Sequence, residues 1–243
     1  MSPERFEQLK AVLARRQPDL TVLAEDVHKS HNISAIVRTC DAVGVMELHA
    51  VSPGGAFARH RMISGGSRKW VRTRAHRDID TAVAAMRQQG FAIVAAHPGP
   101  GALDYREWDY VRPTALLLGS ELMGVSARSA ALADRHVAVP MRGQVESLNV
   151  SVAAALLLYE AARQREAAGL YARCRLDPAT YAEVLFEWCY PTVARHCRQH
   201  AIPYPPLDES GFMGRTGQAR SLAESLRSAD RAGKAHRISD AAS

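Results

Sequence analysis

Apolar positions follow two alternating rhythms along the chain. Helical spacing comes first, with Phe6, Leu9, Leu13 and Ala14 set between charges over residues 3–16 and closed by Pro18. Short β-prone runs then occur at Thr21–Ala24, Met46–Val51, Phe91–Ala96, Thr114–Leu118 and Val137–Val139, most of them stopped by glycine or proline. Between them the helical period returns, at Ile33, Ile36, Val37 and Cys40 after Asn32, and again over Asp80–Gln89 before Gly90. Strands alternating with helices predict an α/β fold, a mainly parallel sheet flanked by helices.

The stretch Val137–Glu160 organises the rest. A β-prone run stops at Pro140, which cannot donate to a sheet ladder, and a loop with Arg142, Gly143, Gln144 and Glu146 follows. Ser147, Asn149 and Ser151 then stand at the start of an apolar run that no charge interrupts until Glu160, which predicts a capped helix start. The run is far shorter than the roughly 20 residues a bilayer requires, so a buried core helix is expected. Ligands of parallel α/β folds sit at the carboxyl ends of strands. The ends at Ala96, Leu118 and Val139 carry glycine or proline loops and are expected to meet in one pocket.

Charge adds a partner class. A formal charge of +6 and a pI near 9.4 suit a polyanion, and also suit many ordinary basic enzymes. The region from Arg59 to Arg77 contains Arg59, Arg61, Arg68, Lys69 and Arg72 with no acid and with Trp70 inside, a composition suited to a phosphate backbone or to a solvated surface loop. Arg15 and Arg16 end the first helical segment. Arg38 lies about two turns into its helix, where the bland reading is a solvated face. The four cysteines form no Cys-x-x-Cys pair, and the first residues lack a signal-peptide core, so a reduced cytoplasm is expected.

Several chemistries are disfavoured. Gly119–Gly124 has the glycine spacing of a P-loop, but Val125 stands where the phosphate-binding lysine belongs. Ser67 and Ser120 lack the surround of a nucleophile elbow, and no dinucleotide fingerprint follows a strand. Cys189, His196, Cys197 and His200 match none of the familiar zinc spacings, so no metal is expected.

Three motifs in register carry a resemblance. Asn32 with Arg38-Thr, Leu-Gly-x-Glu-x-x-Gly at 118–124, and Val-Pro-Met-x-Gly-x-x-x-Ser-Leu-Asn-Val-Ser-Val-Ala at 139–153 resemble the motifs of the SpoU branch of the SPOUT RNA methyltransferases. Residues 1 to about 208 further resemble those members that methylate the ribose 2′-hydroxyl of guanosine 18 in the tRNA D-loop. Related members act on rRNA or on a wobble ribose, and a non-catalytic RNA-binding protein could share the fold. The resemblance implies S-adenosylmethionine as cofactor, tRNA as partner, a homodimer and a C-terminal trefoil knot. It implies a helical extension over 1–20, a methyltransferase domain over 21–165, a second helical extension over 166–208 and a tail from 209 that is frayed helix or disordered. Carried over by motif, Arg38, Glu121, Ser147 and Asn149 are catalytic, with Asn32 positioning Arg38, while Ala96, Gly119, Val139, Met141 and Leu148 line the donor pocket. Arg15, Arg16 and the Arg59–Arg72 cations are expected to meet RNA. A guanidinium keeps its proton in proteins, so Arg38 is expected to act as a cation that lowers the hydroxyl pKa and holds the adjacent phosphate.

Overall fold

The computed structural model describes residues 1–52 and 69–214. Arg59, Arg61, Arg68 and the tail from residue 215 lie outside the described residues.

The chain divides into two compact units, Ala14–Leu176 and a second made of Met1–Leu13 with the chain from Asp177. The larger unit holds a seven-stranded sheet: β1 (Leu20–Glu25), β2 (Glu47–Val51), β3 (Arg72–His76), β4 (Ala92–Ala96), β5 (Leu103–Asp104), β6 (Thr114–Leu118) and β7 (Arg135–Ala138). Their order is β3-β2-β1-β6-β4-β7-β5, and every pairing is parallel. The first three strands step outward from β1, whereas β6 and β4 lie on its other side, so chain progression reverses between β1 and β6. The strand β3 was legible in sequence only as part of a basic run. It is an edge strand with exposed arginines, a composition that discourages further edge pairing.

Alternation along the central strands feeds two cores. Val22, Ala24, Val94, Leu116 and Leu118 face one layer, packed with Ile33, Ile36 and Val37 of α2 (Ser30–Ala42). The same layer includes Leu157, Leu158 and Ala161 of a long helix, Val150–Ala167. Leu23, Ile93, Ala95, Ala115 and Leu117 face the other layer, against Ile79, Ala82, Val83 and Met86 of α3 (Ile79–Gln88). Side chains point alternately to opposite faces of a strand, and both faces are covered, which is why these strands read as unbroken apolar runs. A short helix, α4 (Ala127–Leu132), follows β6, and Val150–Ala167 is α5.

That last helix corrects one expectation. It is not buried all round: Val152, Leu156 and Tyr159 remain 47%, 37% and 58% exposed. Its final turn instead buries Arg165 completely. The guanidinium donates to the Tyr110, Asp19 and Arg112 carbonyls, to Gln17 and to the Asp19 carboxylate, and so ties α5 to the amino end of the sheet. A buried charge is tolerable only when its donors are satisfied in this way.

The smaller unit contains α1 (Pro3–Ala14), α6 (Pro178–Cys189) and α7 (Pro191–Gln199). Both later helices begin with proline at the first turn, where a missing N–H costs nothing, and the Asp177 side chain caps α6. The N-terminal and C-terminal extensions are joined within one unit. The Tyr181 hydroxyl donates to the Lys10 carbonyl, and Phe6 packs so closely on Gly211 that a Cβ there would lie 2.5 Å from its ring.

Candidate active site

The carboxyl ends of β1, β6, β4 and β7 lie side by side. Ala24 is paired with Leu118, Ala95 with Leu117, and Ala96 with Val137, so the Ala96 and Leu118 ends and the chain leaving β7 toward Val139 share one edge of the sheet. This edge lies where chain progression reverses, the place at which open parallel sheets leave a crevice.

The loop leaving β6 folds back sharply. Ser120 and Gly124 exchange backbone hydrogen bonds of 3.0 Å, Gly124 has φ +65°, and a Cβ on Gly119 would collide with the backbone of Gly124 and Val125. Glycine is therefore required at 119 by close approach and at 124 by its left-handed conformation. The turn presents Glu121 toward the start of α2. Its carboxylate accepts from Asn32 Nδ2 at 2.7 Å, from the Lys29 N–H at 3.1 Å and from the His28 N–H at 3.3 Å. Lys29, the residue flanking α2, provides no side-chain cap, so Glu121 supplies from another loop the negative group that a helix N-terminus favours. Burial alone would raise the Glu121 pKa, but the hydrogen bonds from Asn32 and from the Lys29 and His28 amides outweigh it and hold the carboxyl below its ordinary value.

Asn32 is only 1% exposed and joins two loops. While its Nδ2 donates to Glu121, its Oδ1 accepts from Asn149 Nδ2 at 3.2 Å. Asn149 is itself the cap of α5, accepting from the Ser151 N–H at 2.9 Å and from the Ser151 hydroxyl at 2.6 Å. A single chain of hydrogen bonds thus connects the β6 loop, the α2 start and the α5 start.

Arg38 stands apart from this chain. It is exposed and makes no hydrogen bond or ion pair among the described residues. It lies six positions after Asn32, about 240° around a helix, so the two occupy different faces. The Asn32 amide is used by Glu121 and Asn149, so no direct bond links it to Arg38 among the described residues. Ser147 is also exposed, two residues before the α5 cap, and helix capping falls to Asn149 alone. Gly119 is buried, Ala96, Val139, Met141 and Leu148 are half-buried, and residues 142–147 are exposed with no regular secondary structure.

The cationic residues separate into different roles. Arg16 is 1% exposed and pairs with Asp41 at 2.5 Å while donating to the Val45 carbonyl, so it is a structural residue out of reach of RNA, which corrects its assignment. Arg15, Lys69 and Arg72 are exposed. Arg72 opens β3 and Arg15 precedes β1, so both lie toward the amino ends of the strands, opposite the Glu121 edge. Sequence reading missed Glu25 and Ser126, whose contact depends on the pairing of β1 with β6. Lys29 and Arg142 are exposed cations on the segments next to Glu121 and Asn149.

Among the described residues no group of His, Cys, Asp or Glu is arranged to hold a metal, no helix is long and apolar enough to cross a membrane, and all four cysteines are free.

The comparisons with known proteins agree with this geometry. Residues 19–159 match the SpoU rRNA Methylase family, and residues 163–214 match the SpoU rRNA methylase C-terminal family. A tRNA (guanosine(18)-2′-O)-methyltransferase of Escherichia coli K12 is 48% identical over 213 residues, covering 87% of this chain and 93% of that protein. The crystal structure of the A. aeolicus TrmH/SpoU tRNA modifying enzyme superposes with a TM-score of 0.71 at 40% identity, over 77% of this chain and 96% of that one. The SpoU methyltransferase AviRb of Streptomyces viridochromogenes, solved in complex with the cofactor AdoMet, superposes with a TM-score of 0.51 at 28% identity, over 63% and 59% of the two chains. By its motifs, its sheet order and these matches, the chain belongs to the SpoU methylase family.

Proposed function

We propose that this protein transfers a methyl group from S-adenosylmethionine to the ribose 2′-hydroxyl of guanosine 18 in the D-loop of tRNA. The observation that carries the reading is the Glu121–Asn32–Asn149 chain at the strand ends, with Arg38 exposed on the same helix as Asn32, in a chain 48% identical to a methyltransferase of that specificity.

The residues present fit the cofactor. A loop too tight for a Cβ at Gly119, with half-buried Ala96, Val139, Met141 and Leu148 beside it, leaves backbone N–H and C=O groups to hold an adenosine without any metal. Bound there, S-adenosylmethionine supplies an activated methyl group. The protein then has to fix the nucleophile and favour loss of its proton. Arg38 is the catalytic residue that does so, because its permanent charge lowers the 2′-hydroxyl pKa and its fork suits the neighbouring phosphate. Glu121, Asn32 and Asn149 act as positioning residues. They hold the α2 start, and with it the helix that carries Arg38, against the donor loops. Ser147, exposed on the loop before Asn149, faces the incoming ribose.

The proposed assembly is a cytoplasmic homodimer with the chain threaded as a trefoil knot. In support of threading, β7 pairs beyond β4 whereas α5 returns to pack with α2, so residues 139–149 must recross the strand ends. In support of the dimer, exposed Val152, Leu156 and Tyr159 line, with Tyr105, Ala155 and Glu160, a cavity of about 400 Å³ that a second copy would cover. The cytoplasm fits four free cysteines. Phosphate contact falls to the Ala14–Leu176 unit, because the described part of the helical unit offers only Arg5, Lys10, Arg195 and Arg198 against seven carboxylates.

The test is reaction of the protein with labelled donor and unmodified tRNA, followed by nucleoside mapping. A methyl on guanosine 18 is expected. No methyl on tRNA, or a methyl on another nucleotide such as the wobble ribose, would overturn the assignment.

A further inference from the structure

Glu25, the last residue of β1, is 8% exposed, and its carboxylate is directed away from α2. It accepts from the Ser126 N–H at 3.1 Å, the Ser126 hydroxyl at 2.8 Å and the Ser129 hydroxyl at 2.6 Å. Ser126 is in turn the cap of α4, accepting from the Ser129 N–H at 3.1 Å. These partners end the loop that begins at Gly119 and carries Glu121. The arrangement is reciprocal. A carboxylate from the β1 end holds the β6 loop through Ser126, and a carboxylate from the β6 loop holds the β1–α2 segment through the His28 and Lys29 amides. Asp26, between the two clasps, has φ +50°, a conformation that a non-glycine residue adopts only when its surroundings impose it. Its N–H is fixed to the Val51 carbonyl at 2.9 Å.

We propose that Glu25 is a positioning residue for methyl transfer: by clasping Ser126 and Ser129 it sets the Gly119–Ser126 loop, and through that loop the placement of Glu121, Asn32 and the donor-facing backbone. The role rests on the methyltransferase reading above. Glu25 touches neither reactant. Its effect is geometric, and geometry matters steeply here, since a misplacement of about 1 Å costs on the order of a hundredfold in rate. A carboxylate suits this role because it accepts from three donors at once. A glutamine keeps part of this capacity, with its oxygen toward the Ser126 N–H and its NH2 toward the two hydroxyls.

The experiment compares full-length wild type, Glu25→Ala, Glu25→Gln, Ser126→Ala/Ser129→Ala and the triple variant. Turnover, KM for tRNA, calorimetric affinity for S-adenosylhomocysteine and amide hydrogen exchange over residues 119–126 are measured. Glu25→Ala is expected to lower turnover by about ten- to a hundredfold, to weaken S-adenosylhomocysteine binding and to speed exchange in the loop, with KM for tRNA unchanged. Glu25→Gln should recover most of the loss. The triple variant should be little worse than Glu25→Ala, because the residues act as one unit. Wild-type turnover and loop exchange in Glu25→Ala, or effects that simply add, would overturn the proposal. If Glu25→Ala does not fold, the serine double variant decides: it deletes two of the three bonds, and unchanged turnover and exchange would equally overturn it. A wild type that neither binds S-adenosylhomocysteine nor methylates tRNA would overturn the methyltransferase reading instead, while loop exchange would still judge the clasp.

Discussion

Asn32 Nδ2 donates to the carboxylate of Glu121 at 2.7 Å across 89 positions of sequence, and the same amide accepts from Asn149. An amide can do both, whereas an ionised carboxylate can only accept. Asn32→Asp sets a carboxylate against Glu121 and is expected to cost about 2–3 kcal/mol at neutral pH, the scale of a lost hydrogen bond to a charged group. The unfolded aspartate releases its proton near pH 4, whereas the folded pair retains one to higher pH, so the variant's stability should fall as pH rises through that window. Urea unfolding across pH checks this. A flat difference from wild type would show that the carboxylates do not sense each other.

Arg38→Ala is expected to remove turnover by a hundredfold or more while leaving S-adenosylhomocysteine affinity and the unfolding midpoint unchanged, because the side chain is exposed and has no protein partner among the described residues. Arg38→Lys should fail nearly as badly, since an ammonium lacks the bidentate fork. Near-normal turnover in the lysine variant would show that charge alone suffices.

Adjacent arginines should part company. Arg16→Ala breaks a pair with one buried partner and is expected to destabilise by about 2–4 kcal/mol, somewhat below a fully buried pair because Asp41 retains 27% exposure. Arg15→Ala should leave the unfolding midpoint alone. Together with Lys69→Ala and Arg72→Ala it should flatten the salt dependence of tRNA binding by roughly one unit of slope for each phosphate no longer neutralised. An unchanged slope would remove these residues from the RNA interface.

The α5 face offers a test of assembly. Leu156→Glu with Tyr159→Glu is expected to shift sedimentation from dimer to monomer without lowering helix content, because both side chains point outward. A dimer that survives both charges would place the interface elsewhere.

At the β2–β3 edge, His49 Nδ1 and His76 Nε2 lie 2.9 Å apart, a contact that needs one shared proton. Burial pushes the His49 pKa down to about 4, and burial lowers His76 as well. A histidine whose folded pKa is depressed contributes stability that is complete above the unfolded value near 6.5 and is lost as pH falls toward the folded one. Thermal unfolding of wild type should therefore weaken from about pH 6.5 to 4, and His49→Gln should flatten that slope.

Much of the fold was legible because local rules and global structure agree. The run from Val22 to Ala24 is apolar on both faces, as a doubly covered strand requires, and the polar residues before Val150 announced the α5 cap at Asn149. The three motifs alone placed Asn32, Glu121 and Asn149 in one site. Tertiary structure decided what periodicity cannot encode, namely which elements become neighbours. Arg15 and Arg16 are indistinguishable by composition, yet one is exposed and the other is buried by Asp41 on a different helix. The motif linked Asn32 with Arg38 on one helix, and tertiary structure added that the parallel sheet brings Glu121 to the Asn32 amide from 89 residues away. Glu25 read as the polar end of a strand, and became a clasp only because β6 pairs beside β1 and delivers Ser126 to its carboxylate. Side-chain partners across a sheet depend on strand order, and strand order is set by how the whole chain buries its two cores.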